Sequence, residues 1–145
     1  MSEPSAAKID HPFTSEAEID EMVGLFESCQ LPGERWTHRA HLAVAATYLG
    51  RYPLSEATDR ARVHIRRYNE SRGNSTGYHE TITVLFMRLL AREVRSNHRR
   101  RAELVNDLAA RCRVDWLLGY YSRERLWSAE ARADFVPPDL HPLDF

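Results

Sequence analysis

The sequence predicts an all-α fold, and three observations carry that reading. Apolar residues recur at helical spacing along most of the chain. Helix start and stop signals bound these stretches. Nowhere do four or more alternating apolar and polar residues lie between hairpin turns. Taken in order, Ser15-x-x-Glu18 reads as a capping box, and behind it Ile19, Met22, Val23, Phe26 and Cys29 mark a first amphipathic helix that Pro32-Gly33 ends. Thr37 caps a second helix with His38, His41, Leu42, Ala45 and Leu49 on its inward stripe, closed by Gly50 and Pro53. A third runs from about Leu54 to Glu70, with Leu54, Ala57, Ala61, Ile65 and Tyr68 on one face, until Gly73 stops it. The segment Arg72–Gly77 is the richest turn signal in the chain and the expected mobile loop. After it comes the most apolar helix, with His79, Ile82, Thr83, Phe86 and Leu90 in one stripe, expected to form the centre of the core.

A fifth helix is expected from about His98 to Cys112, with Leu104, Val105 and Leu108 inward and Arg99-Arg100-Arg101 as a solvated face. Short helical pieces follow at Asp115–Gly119 and Ser128–Asp134. An extended tail from Phe135 to Phe145 carries too many prolines for a helix. Phe135, Val136, Leu140 and Leu143 are expected to pack on the helices, because a solvated tail has little use for them. The expected architecture is a single-domain bundle of about five main helices over 15–145, preceded by a flexible segment over 1–14.

At 145 residues and 43% hydrophobic, the chain buries enough surface to fold without disulfide or metal staples. Its 20 basic and 21 acidic residues argue against a surface built to coat nucleic acid or anionic lipid. No stretch is apolar enough for a membrane span, and the opening MSEPSAAKIDHP lacks the apolar core of a signal peptide, so a cytoplasmic location is expected. Cys29 and Cys112 stand in no metal-ligand or redox spacing and read as small buried hydrophobes. There is no GxGxxG, GxxxxGK[ST] or HExxH string, which removes motif support for nucleotide-binding and zincin readings.

The candidate site combines Trp36-Thr37-His38-Arg39-Ala40-His41 with Tyr78-His79-Glu80-Thr81. In an alternating bundle, helices two and four start at the same end, so the two polar clusters are expected to meet. His38 and His41 share a helical face and His79 adds a third nitrogen, a set suited to a divalent metal. Glu80 is turned about 100° from His79 on an ideal helix, as an outer partner, a general base, or a first-turn acid favoured by the dipole. Two helix N-termini also favour neutral imidazole and an anionic ligand. Elsewhere His64 reads as a satisfied core histidine, while Tyr120, Tyr121 and Trp127 read as packing aromatics, with Tyr121 also a candidate pocket residue.

The strings Trp-Thr-His38-Arg-Ala-His41-Leu, Tyr78-His79-Glu80-Thr81-Ile-Thr, Tyr120-Tyr121-Ser122 with Leu126-x-Ser128, and Phe135-Val-Pro137-Pro138-Asp139-Leu140 resemble an uncharacterised family of small bacterial helical proteins. That family carries HRxHL, YHETxT, YYS and C-terminal V-x-PDL motifs in this order, and the resemblance spans about Phe26 to Pro142. It implies no activity. It marks His38, His41, Tyr78, His79, Glu80, Thr81 and Asp139 as the matching positions. The resulting assignment is a polar pocket at one bundle end: His38, His41 and His79 as metal ligands, Glu80 and Tyr78 as catalytic groups, and Thr37, Arg39, Thr81 and Tyr121 as ligand contacts. A divalent metal and a small anionic ligand stand as alternatives for its occupant, and a structural or protein-interaction module in which the histidines only tether helices stands as the rival.

Overall fold

The computed structural model describes residues 7–96 and 99–145. Among them the regular structure is helical throughout: α1 Glu16–Glu27, α2 His38–Arg51, α3 Leu54–Ser71, α4 Glu80–Ser96, α5 Arg101–Arg111, α6 Arg123–Leu126 and α7 Ala129–Ala133, with 3-10 turns at Gly33–Arg35 and Val114–Gly119. No helix is long and apolar enough to cross a membrane.

The helix starts follow local chemistry. Ser15 Oγ accepts from the Glu18 N–H at 3.1 Å and Thr37 Oγ1 from Ala40 N–H at 3.1 Å, so each satisfies one of the orphan donors of its helix. The reciprocal half of the first capping box is displaced by one residue, because Glu18 Oε2 takes Thr14 N–H and Thr14 Oγ1–H instead of Ser15. α1 ends with Cys29 at φ 61°, a left-handed position that lets Gln30 N–H reach back to Leu25 C=O at 2.8 Å. The fifth helix begins at Arg101, and His98, its expected start, lies outside the described residues.

α2, not α4, is the central helix. Leu42 through Tyr48 are all buried, and α2 packs against α1, α3, α4 and α5. Ala40, Ala43, Ala45 and Ala46 make this arrangement possible, since small side chains let neighbours approach on every side. A stripe-based reading ranks such a helix low because alanine contributes little to an apolar face. Thr47 Oγ1, deep in this core, donates to Ala43 C=O and accepts from Arg101 Nη1. Arg101 also pairs with Glu16 at 3.1 Å and Asp20 at 2.9 Å, so it is a bracket between α5 and α1 rather than part of a solvated face.

α4 has two occupied sides. One faces α2 and α3; the other receives α7 and the chain that follows. On that second side, buried Thr81 donates to Asp134 C=O at 3.0 Å and accepts from Val136 N–H at 3.1 Å, while Tyr121 O–H donates to Val136 C=O at 2.6 Å. Residues 135–145 form no helix or strand. Val136 is buried and Leu143 half-buried, but Phe135 and Leu140 remain 37% and 60% exposed, contrary to the expectation that all four pack. Successive side chains of an extended chain point to opposite sides, so burying Val136 turns Phe135 outward. Asp139 accepts from Ser122 N–H and Oγ–H at 2.8 and 2.7 Å, which holds its carboxyl below the usual range.

Part of the expected flexible N-terminal segment is tied down. Ile9 N–H donates to Glu34 C=O at 2.7 Å, and Asn106 brackets Phe13 through both its amide atoms, at 3.0 and 2.9 Å. Residues 1–6 of that segment lie outside the described residues.

Candidate functional site

The first turn of α2 sends two imidazoles toward one cavity of about 230 Å³ between α2, α3 and α4. His38 and His41 are its only ionisable lining groups; Leu42, Ala45, Ile65, Phe86 and Met87 supply most of the remainder. The cavity exists because Ala45 and Ala61, opposite Ile82 and Phe86, leave space that larger residues would fill.

The hydrogen bonds fix the tautomers. His41 Nδ1 lies 2.7 Å from Thr37 C=O, and a carbonyl only accepts, so Nδ1 carries the proton. Nε2 is therefore a free acceptor, with no partner among the described residues. The ring leans on Trp36, centroid to centroid 3.7 Å, and Trp36 stacks in turn on Phe26 at 4.6 Å. Burial pushes the His41 pKa down to about 4, so the ring is neutral at pH 7. His38 Nε2 donates to Cys112 C=O at 2.8 Å, tying α2 to the end of α5, and its ring meets Phe86 edge-on at 4.9 Å. Its pKa is likewise lowered by burial. Beside His38 and Val114 lies a further concavity bordered by Arg113 and Asp115.

His79 does not join them on the cavity wall. Its Nε2–H donates to Leu126 C=O at 2.6 Å and its Nδ1 accepts from Ile82 N–H at 3.2 Å, so both nitrogens are used. The residue caps α4 and anchors α6 to it, with Trp127 edge-on at 5.6 Å. Among the described residues no group of three or more His, Cys, Asp or Glu side chains is placed to hold a metal ion. The expected three-histidine set is thus divided by what the second nitrogen of each ring does.

The other expected site residues are engaged with the protein. Glu80 forms a two-pronged pair with Arg62, at 2.9 and 2.7 Å, and accepts from Tyr78 O–H at 2.6 Å. The Arg62 guanidinium holds the Glu80 pKa down, while burial and Glu80 push Tyr78 up to about 12. Neither is poised to exchange a proton near pH 7. Arg39 spans Asp10 and Asn106. Thr37 is a cap, and Thr81 and Tyr121 are the clamps on residues 134–136 described above. His64, expected to be satisfied, has its Nδ1 buried without a partner among the described residues, with Nε2 4.0 Å from Glu27.

Sequence reasoning missed the apolar cavity, because the alanines of α2 and α3 that create it are read as plain packing residues. No family model matches the chain, and neither a curated protein nor a solved structure shows significant similarity to it.

Proposed function

We propose that the protein binds a small, mostly apolar molecule carrying one hydrogen-bond donor, held in the α2–α3–α4 cavity with neutral His41 Nε2 as the acceptor. The observation that carries this reading is a pair of imidazoles, each with one nitrogen bonded to a backbone carbonyl and the other without a partner among the described residues, in a cavity otherwise lined mainly by hydrocarbon. A ligand donor that reaches the His41 acceptor adds about 1 kcal/mol, the net value of one hydrogen bond. Cavities of roughly 150 Å³ already accept benzene, and about 230 Å³ suits a bicyclic ring. The reading favours a small organic ligand over a three-histidine metal site, since both His79 nitrogens are bonded, to Leu126 and Ile82.

Indole and indene test the proposal, since they share a shape and differ in the N–H donor. Calorimetric titration is expected to show indole binding about tenfold tighter than indene, the equivalent of one hydrogen bond. His41→Leu should erase the difference. Ala45→Leu, which grows into the cavity, should abolish binding of both while leaving a folded protein. Failure of near-saturated indole to bind, or equal affinities in the parent, would overturn the reading.

A further inference from the structure

A second concavity lies on the other side of α3, shares no lining residue with the histidine cavity, and has the opposite chemistry. It measures about 450 Å³ and runs between the end of α3, residues 74–78 and α7. We infer that this cleft is a binding site for a phosphate monoester of a small polar molecule, with Arg66 and Arg132 as the phosphate-binding pair and Asn69 as a contact to the organic part.

Three observations converge on it. The first is how the two arginines are held. The Arg66 guanidinium lies 4.6 Å from the centre of the Tyr78 ring, and that of Arg132 lies 5.7 Å from the centre of the Trp127 ring. Neither side chain makes a hydrogen bond or ion pair among the described residues. Two other arginines of α3 are spent otherwise: Arg62 on Glu80 and Asp59, Arg60 on Glu56. An aromatic face positions a guanidinium without occupying its N–H edge, so all five donors stay available to an oxyanion.

The second observation is Asn69. The residue is only 9% exposed and lines the cleft, yet its side-chain amide makes no hydrogen bond among the described residues. Its backbone carbonyl, in contrast, accepts from Arg72 and Asn74 and so fixes the turn after α3. Its amide atoms are not sealed from solvent, since His64 Nδ1 alone is both buried and unpartnered among the described side chains, so they open onto the cleft and offer a donor and an acceptor to a partner that brings both. A hydroxyl supplies both.

The third is the balance of the wall. Ser75, Thr76 and Tyr78 add hydroxyl groups, and Glu70 is the one carboxylate against the two arginines. A phosphate prefers paired guanidinium groups, with which it forms two-pronged hydrogen bonds. The remaining volume exceeds what one phosphate needs, leaving room for an attached polar body beside Asn69.

The full chain should be titrated by calorimetry with inorganic phosphate, glucose 6-phosphate and glucose. Glucose 6-phosphate is expected to bind roughly tenfold tighter than inorganic phosphate, and glucose not to bind at all. The double variant Arg66→Ala/Arg132→Ala should lose binding of both anions by a hundredfold or more, whereas the Lys/Lys variant, which keeps charge but not the planar fork, should retain part of it. Asn69→Asp, nearly isosteric, should weaken the sugar phosphate more than tenfold by placing a carboxylate beside it. Unchanged unfolding curves for the double variant establish that loss of binding is not loss of fold; Arg66 is exposed and Arg132 half-buried. Absence of anion binding at ten millimolar, or binding indifferent to the double variant, would overturn the assignment. Indole titrations of the same double variant should match the parent, which separates this site from the histidine cavity.

Discussion

His41 illustrates how one side chain serves stability and chemistry at once. Donating Nδ1–H to Thr37 fixes its tautomer, stacking on Trp36 fixes its orientation, and burial keeps it neutral. The same burial makes it a pH liability. Its folded-state pKa of about 4 lies below the unfolded value of about 6.5, so between these values the unfolded chain takes up a proton that the folded one refuses. Stability is therefore expected to fall as pH drops from about 6.5 toward 4, by roughly 2 to 3 kcal/mol from this residue alone. His38 and His79, both shifted downward by burial, act in the same direction. Urea denaturation of the parent and His41→Gln across this range isolates the contribution, since the carboxylates titrate identically in both. Parallel stability curves would mean that His41 is not held neutral.

Among the elements, the start of α4 depends on a residue that the sequence offers as a metal ligand. His79 satisfies an α4 backbone donor and carries α6 through Leu126. His79→Ala should cost about 2 to 3 kcal/mol by removing both bonds, and His79→Asn about 1 kcal/mol less, because asparagine still caps a helix but cannot reach Leu126. Equal losses in chemical denaturation would show that the cap contributes nothing. The comparison also shows how far the residues themselves speak. Ser15 and Thr37 announce their helices because a cap is a local event, decided within four residues. The pairing of Glu80 with Arg62 and of Thr81 with Val136 is decided by how helices cross, which no spacing records. Hence the His38 and His41 pair was legible as a common face, while the role of His79 was not. The centrality of α2 escaped for a related reason: alanine reports closeness of packing, not hydrophobic periodicity.

For the whole molecule, the consequential feature is that α4 lies between the histidine cavity and the clamps on residues 134–136. Ile82, Thr83, Phe86 and Met87 line the cavity, while Thr81 grips Asp134 and Val136 from the same helix. A ligand that rigidifies α4 from one side also changes the free energy of docking on the other, and thermodynamic reciprocity requires the converse. Detachment of residues 135–145 is then a subglobal opening whose frequency reports on a cavity it never touches. Amide hydrogen exchange at Val136 and Leu140, whose N–H groups bond to Thr81 and to Tyr120 C=O, should slow when indole is added. Thr81→Val should weaken indole binding by the same factor by which indole tightens the docking. In that sense the last eleven residues act as a built-in reporter, and the exchange rate of two amides becomes a readout of occupancy inside the bundle.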